Sequence, residues 1–228
     1  MILYEDENKA LILTKSKSNS KTGPIPTLWG FVPHVMPREA LHAGMDAAIC
    51  GDCVHRGYEE DEARCYAHKG NTLHGLASIV KKHARGGYPV ADQEMLLAFL
   101  TLERRQGATA IRSMGYGDMG MFPRAVWETL NDVRQTAKLT VRGYTQQWRR
   151  TPWLRDTHMA SVTNALQAAE AESLGWRTFW TVKPRDWDKV EGRLNCPASK
   201  EQGKLTTCNQ CTLCYGARRA PSVWIKEH

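Results

Sequence analysis

The chain has 228 residues and a formal net charge of +7, with 42% hydrophobic and 24% charged residues. Such a length suits one large domain or two small ones, and the composition is that of an ordinary globular protein. No apolar run approaches the length of a transmembrane helix, and the acidic start MILYEDENK lacks a signal-peptide pattern. We therefore expect a cytoplasmic protein with no membrane partner.

The basic excess has two interpretations. A pI near 9.1 is compatible with binding to nucleic acid or another polyanion. The lysines and arginines are spread along the chain, however, and fit a solvated surface equally well. Charge alone therefore leaves a nucleic-acid partner open.

Coarse elements in chain order alternate between strands and helices. The hydrophobic pattern and the turn residues predict strands over 9–14, 25–32, 108–114, 139–144, 161–162, 176–182 and 222–225. Helices are predicted over 71–85 with Asn71 as N-cap, after an Asp92 cap, from Pro123 to about Ala137, and from Thr163 or Asn164 to Leu174. A glycine-rich loop is predicted over 115–120, and a polar connection over 183–195. Alternation of this kind is typical of βα units with a parallel sheet.

The strand count sets the expected fold class. About six or seven strands are too few for the eight of a closed (β/α) barrel. We therefore predict a single α/β domain spanning 1–228, folded as a partial or incomplete (β/α) barrel. In such a barrel the first and last strands are neighbours, which would bring both ends of the chain to one mouth.

All seven cysteines fall in two short segments. The early segment is Cys50-x2-Cys53-x11-Cys65. The late segment is nearly its mirror image and reads Cys196-x11-Cys208-x2-Cys211-x2-Cys214. Without an export signal the thiols should stay reduced, which favours metal binding over disulfides. We expect the loops 50–65 and 196–214 to lie at one end of the barrel.

The spacing favours iron–sulfur ligation. A C-x2-C-x2-C run with a distant fourth cysteine, here followed by Pro197, is typical of iron–sulfur sites. Zinc is the alternative, although its usual pattern is two C-x2-C pairs or one pair with histidines. Disulfides or inert thiols are a third interpretation. His55 and His68 lie within three residues of cysteines and could complete a coordination sphere, or be surface residues.

The number of cysteines in each segment bears on the cofactor. Four cysteines can saturate a [4Fe–4S] cluster, whereas three leave one iron open to a small ligand. The sequence thus allows two [4Fe–4S] clusters, one of them open. One cluster, or one zinc ion, taking four of the seven cysteines is the simpler alternative.

Candidate ligand-binding residues follow the strand at 108–114. In parallel α/β folds functional groups gather at the carboxyl ends of strands. This places Gly115, Gly117 and Asp118 in a candidate ligand or catalytic site. The glycines could instead supply only turn geometry, and Asp118 could cap a helix. The G-x-G-x-x-G fingerprint is absent, so a dinucleotide site is not expected.

Several motifs together resemble a family of uncharacterised bacteriophage proteins. They are, in order, Lys21-Thr22-Gly23-Pro24, Cys50-Gly51-Asp52-Cys53, Cys65-Tyr66-Ala67, Gly117-Asp118, Tyr144-Thr145-Gln146-Gln147-Trp148, Cys196-Pro197-Ala198 and the final Cys208-to-Cys214 run. The resemblance covers nearly the whole chain. It implies a phage origin, a bacterial host cell as location, and an iron–sulfur protein whose activity the family does not define.

A wider resemblance is to radical S-adenosylmethionine (SAM) enzymes, which have a partial (β/α) barrel, a three-cysteine cluster after the first strand and a glycine/acid motif after the second. It implies that Cys50, Cys53 and Cys65 hold an open [4Fe–4S] cluster, and that Asp118 binds the amino group of SAM. The four late cysteines would hold an auxiliary cluster. The family's loop is usually C-x3-C-x2-C, which differs from the C-x2-C-x11-C spacing here. The alternative is a non-catalytic iron–sulfur or zinc protein that binds a host protein or nucleic acid.

Overall fold

The computed structural model describes residues 1–17, 20–56, 65, 70–217 and 219–227. Ten strands form two five-stranded sheets. The first sheet contains, in spatial order, β1 (Ile2–Glu5), β2 (Ala10–Lys17), β3 (Ile25–Phe31), β4 (Ala110–Tyr116) and β5 (Thr140–Arg142). The second contains β6 (Tyr144–Thr145), β7 (Met159–Val162), β8 (Thr178–Val182), β10 (Val223–Lys226) and β9 (Leu194–Asn195), in that order.

Most strand pairs are parallel. In the first sheet the β1–β2 and β2–β3 pairs are antiparallel, whereas β3–β4 and β4–β5 are parallel, and every described pair in the second sheet is parallel. The prediction of a mixed α/β protein with parallel pairing is confirmed. No pairing in the described part of the chain joins β1 to β9, so these strands form no closed barrel.

Six α-helices accompany the strands within the described ranges: α1 (Pro37–His42), α2 (Ala47–Cys50), α3 (Gly70–His83), α4 (Gln93–Arg105), α5 (Arg124–Thr136) and α6 (Ala165–Ser173). Two predicted caps are confirmed, since Asp92 accepts a 2.7 Å bond from Met95 N and Asn164 a 2.9 Å bond from Gln167 N. The Asn71 cap is wrong because α3 already begins at Gly70. None of the described helices is both long and apolar enough to cross a membrane.

Gly143 divides what the sequence predicts as one strand over 139–144. A Cβ atom at Gly143 would lie 2.6 Å from the ring of His158 and 2.8 Å from Cβ of Ser113, so only glycine fits there. β5 pairs with β4 on one side of this residue, and β6 pairs with β7 on the other. One short chain segment therefore passes from the first sheet into the second.

The predicted glycine-rich loop over 115–120 is wrong at its start. β4 extends through Tyr116, and Gly115 within it packs so closely on Trp29 that a Cβ would lie 2.8 Å from the indole ring. The polar connection over 183–195 is more ordered than expected and contains a 3-10 helix, Pro184–Lys189, followed by β9.

The core consists of one large apolar cluster and one small one. The large cluster packs the helices against both sheets and includes the fully buried Trp148 and Trp180. The small cluster comprises Met159, Cys196, Ala198, Val223 and Ile225. The late cysteine segment is therefore part of a packed core rather than an appended loop.

Candidate functional site

A cavity of about 460 Å³ lies between the two sheets and the two cysteine segments. Both sheets contribute to its wall, through residues such as Ser113 of β4, Ser161 of β7 and Phe179 of β8. Every cysteine of the chain lines it: Cys50, Cys53, Cys65, Cys196, Cys208, Cys211 and Cys214. The structure thus places both cysteine segments at one site.

The cysteines fall into two groups, which we call the first thiol group (Cys50, Cys53, Cys65) and the second thiol group (Cys196, Cys208, Cys211, Cys214). Burial raises the pKa of Cys50 well above its usual value, and the charges of Asp46, Cys53 and Cys65 raise it further. Burial likewise raises the pKa of Cys214, followed by the charges of the three other cysteines of the second group. The cysteines of each group are therefore close enough for the charge of one thiolate to raise the pKa of another.

Thiols of this kind stay protonated at neutral pH until something replaces the proton. Burial raises the pKa of Cys53 to about 11, and it also raises the pKa values of Cys196 and Cys208. All seven cysteines are free, so the structure contains no disulfide. Metal ligation requires thiolates, and binding of a metal therefore releases these protons.

The residue types that line the cavity determine which metals they could bind. In the residues that the structure describes, no group of three or more His, Cys, Asp or Glu side chains could hold a metal ion as they stand. The donor set nevertheless fits soft metals, because thiolates select zinc, copper(I) and iron–sulfur clusters. The cavity thus offers thiol ligands of this kind in one group of three and one of four.

Local bonds hold the first thiol group. Cys50 is the last residue of α2. Arg56, beyond Cys53, forms a two-pronged ion pair with the buried Asp46 at 2.7 and 2.9 Å, and it also donates a 2.7 Å bond to the carbonyl of Gly51. These contacts close the chain around Cys50 and Cys53 without help from the sheets.

Two further bonds connect this segment to the carboxyl ends of the strands. Asp118 N donates to the carbonyl of Ile49 at 2.7 Å, and Gln147 Nε2 donates to the carbonyl of Cys50 at 3.3 Å. Gly117, directly before Asp118, has φ of +85° and lines the cavity. Its positive φ is a conformation that glycine adopts without strain.

Two arginines, Arg142 and Arg177, hold the chain around the second thiol group to the sheets. Arg142 of β5 donates a 2.9 Å bond to the carbonyl of Cys208. Arg177, directly before β8, donates to four carbonyls at distances of 2.6 to 2.8 Å, that of Leu213 within the segment and those of Tyr215, Ala220 and Pro221 in the chain that follows it.

Asn209 adds a second attachment. Its side chain accepts a 2.8 Å bond from Thr109 N and donates a 3.0 Å bond to the carbonyl of Gly107, directly before β4. Cys208 N and Asn209 N donate to the carbonyls of Lys21 and Thr22. The second segment is thus bonded to the chain before β3, to the chain before β4 and to β5.

Asp118 lines the cavity, but its carboxylate is engaged within the protein. One oxygen accepts bonds from Thr145 Oγ1 at 2.7 Å and Gly120 N at 2.8 Å, and the other accepts from Gln146 N at 2.7 Å. Burial raises the pKa of Asp118, and these hydrogen bonds oppose the shift. The carboxylate therefore joins the end of β4 to β6, and contact with a ligand remains a prediction.

The other predicted site residues are in different surroundings. Gly117 and His55 line the cavity, whereas Gly115 packs against Trp29. His68 lies outside the described residues.

Sequence reasoning missed a buried pair on the cavity wall. Ser113 Oγ lies 2.6 Å from Nε2 of His158, whose Nδ1 lies 2.9 Å from Thr157 Oγ1. Burial lowers the pKa of His158 to about 3, so the ring is neutral. The polar Arg112-Ser113 step within the apolar strand Ala110–Tyr116 is the signal that could have indicated this wall.

The cavity combines seven thiols with a polar wall and a pair of stacked aromatic rings, Tyr144 and Phe179, whose centroids lie 4.7 Å apart. Comparisons with models of protein families, with curated proteins and with solved structures find no match for this chain. The chemistry of the cavity therefore carries the functional proposal. It offers ligands for thiophilic metal and a space next to them for a small molecule.

Proposed function

We propose that this chain is an iron–sulfur protein with two centres at one cavity. The observation that carries the proposal is that all seven cysteines line the same cavity, in one group of three and one of four. Clusters of the [4Fe–4S] type take up to four thiolates, so each group matches one cluster. The second thiol group would saturate its cluster, and the first would leave one iron open.

The sequence spacing of the cysteines favours clusters over a single zinc ion. A C-x2-C-x2-C run with a distant fourth cysteine is typical of iron–sulfur sites, whereas zinc usually takes two C-x2-C pairs or one pair with histidines.

We further propose that the two sheets form a partial (β/α) barrel around a small-molecule site, as the resemblance to radical SAM enzymes implies. The cavity volume of about 460 Å³ lies within the range of about 300–1,000 Å³ typical of ligand pockets. An open cluster at the first thiol group would supply a coordination site and an electron to a sulfonium ligand such as SAM. Gly117, Gln146 and Ser161 line the space beside it and would contact the ligand, or His55 would close the site instead.

A non-catalytic iron–sulfur protein that binds a host protein or nucleic acid is the second candidate. The observation that favours it is the carboxylate of Asp118, which is satisfied by three protein hydrogen bonds and needs no ligand. In that case the centres would stabilise the fold, and SAM would not bind.

Iron and sulfide analysis of cysteine variants tests the proposal. Replacing Cys50, Cys53 and Cys65 together by serine should remove about half of the iron and sulfide, since each group holds one cluster. Replacing the four cysteines of the second thiol group should remove the other half. Retention of all iron in either variant would contradict two separate sites.

Addition of SAM to the reduced, iron-loaded protein separates the two candidates. A changed electron paramagnetic resonance signal, together with heat of binding in calorimetry, would support an enzyme resembling radical SAM proteins. The variant lacking the first thiol group is the matched control and should show neither effect. An unchanged signal with no binding would leave the non-catalytic protein.

A further inference from the structure

A buried histidine away from the cavity lacks a partner on one ring nitrogen. His83 is the last residue of α3 and is 8% exposed. Its Nε2 lies 3.1 Å from Oε1 of Glu5, the last residue of β1. Its Nδ1 is buried and has no hydrogen-bond partner in the described part of the chain. Buried polar atoms of native proteins are nearly always hydrogen-bonded, so an unpaired nitrogen at this position needs a physical reason.

The contact with Glu5 determines which nitrogen of His83 can bind a ligand. A carboxylate only accepts hydrogen bonds, so Nε2 carries a proton and donates it to Glu5. In the neutral ring the lone pair is then on Nδ1. Histidines that ligate a metal through one nitrogen typically donate the other N–H to a carboxylate in this way. Glu5 therefore orients His83 as a metal ligand.

A second histidine lies next to His83. The ring centres of His34 and His83 are 6.0 Å apart, and Phe31 packs against the other ring at 4.9 Å in a T-shaped arrangement. Two imidazoles that bind one ion at about 2.0–2.1 Å have ring centres roughly 5–6 Å apart. His34 is exposed, so an ion can reach the pair from solvent. The separation of the rings therefore fits an ion between them.

The backbone around the pair points in the same direction. His34 follows β3 by three residues and has φ of +60°, in the left-handed region that residues other than glycine seldom adopt. Residues held in such conformations cluster at sites that bind ligands. His83 lies in the last turn of α3, where the helix dipole favours positive charge. A cation at this position is therefore favoured electrostatically.

We propose that His34 and His83 bind a divalent transition-metal ion of the zinc class, with Glu5 orienting His83. Imidazole nitrogens suit zinc, copper and nickel, and solvent would fill the other coordination positions. Two protein ligands agree with the lack, within the described ranges, of any metal-binding group of three or more His, Cys, Asp or Glu side chains. None of these three residues lines the cavity, so the site is separate from the proposed iron–sulfur centres.

Zinc uptake by the full chain tests the proposal. Equilibrium dialysis against Zn²⁺ after anaerobic purification measures the zinc bound beyond any already present. Wild-type protein should take up one ion per chain more than His34→Gln, which removes an exposed side chain and should not disturb the core. His74→Gln, at an exposed histidine of α3, is the matched control and should bind like the wild type. Glu5→Gln should weaken binding roughly ten- to a hundredfold.

Thermal unfolding provides a second readout. An ion that binds only the folded protein raises the thermal midpoint, so Zn²⁺ should raise it more in the wild type than in His34→Gln. Equal zinc uptake and equal shifts in these two proteins would overturn the inference. Their iron and sulfide contents should be identical, so that result would leave the proposed function intact. Conversely, a protein without iron that still loses one zinc ion in His34→Gln would support this site and contradict the proposed function.

Discussion

The two cysteine segments are near mirror images in sequence, but they are attached to the molecule in different ways. The segment of the first thiol group is closed on itself by the Arg56–Asp46 ion pair and joined to the strand ends by bonds from Gln147 and Asp118. In the second segment, Arg142 bonds to the carbonyl of Cys208 and Arg177 to that of Leu213, and Arg177 also bonds to the carbonyl of Pro221 in the chain that follows. Similar spacing of the cysteines therefore does not imply that the two segments are held to the rest of the protein in the same way.

This difference agrees with separate roles for the two segments, one in ligand binding and one in stabilising the fold. The first segment carries three thiols, the number that leaves an iron open to a ligand. The second segment carries four, and Cys196 belongs to a packed apolar cluster with Val223 and Ile225 of the last strand. We therefore expect the second segment to stabilise the fold and the first to serve the ligand.

The largest expected effect comes from removing a thiol of the second group. In the iron-loaded protein Cys208→Ala should lower the thermal midpoint by about 10 °C or more, because metal binding contributes directly to folding free energy in such sites. Cys50→Ala, the matched variant in the first group, should lower it by clearly less. Scanning calorimetry under anaerobic conditions measures both, and equal decreases would contradict the division between the segments.

Removal of the arginine that clamps the second segment should have the next largest effect. Arg177→Met leaves four carbonyls without their charged donor and should cost about 3–4 kcal/mol of unfolding free energy. Arg150→Met, an exposed arginine beside the first segment, should change it by less than about 0.5 kcal/mol. Urea unfolding of the purified variants gives both values. A loss below about 1 kcal/mol for Arg177→Met would show that the segment is not held as described.

Asp118 tests the connection between the end of β4 and β6. In Asp118→Asn the amide can no longer accept all the hydrogen bonds from Thr145, Gly120 and Gln146, so we expect a loss of about 2–3 kcal/mol in urea unfolding. Asp52→Asn, at an exposed carboxylate of the first cysteine segment, should be nearly neutral. Normal stability of Asp118→Asn with lost SAM binding would instead assign this residue to the ligand.

The smallest expected effect concerns acid sensitivity at the junction of the sheets. Burial lowers the pKa of His158 from 6.5 to about 3, so the unfolded chain takes up the proton first as the pH falls. This residue's contribution to stability is therefore fully present above about pH 6.5 and is lost towards pH 3. Between pH 7 and pH 5 the loss should be about 2 kcal/mol. His158→Gln, which cannot titrate, should show a flatter profile, and identical profiles would exclude His158 as the cause.

Local sequence signals predicted much of the fold. Asp92 and Asn164 were recognisable as caps because capping depends on the residue and the next three positions. The strands with parallel pairing were recognisable from alternation of apolar runs and helices. Short elements such as β1, α1 and α2 were missed, since four to six residues do not complete a clear period.

The predictable part of the site is its list of ligands, because cysteine spacing is local. The structure adds contacts between residues far apart in the chain. Arg177 reaches carbonyls 36 to 44 positions away, and Arg142 reaches Cys208 over 66 positions. The division at Gly143 likewise depends on His158 packing against it. Spacing and periodicity carry no information about such contacts.

Metal analysis of the wild-type protein, purified without oxygen, is the most direct test of two iron–sulfur centres at one cavity. We expect brown protein with broad absorption near ~400 nm and about eight iron and eight sulfide per chain. Colourless protein that carries stoichiometric zinc and no sulfide would contradict this account.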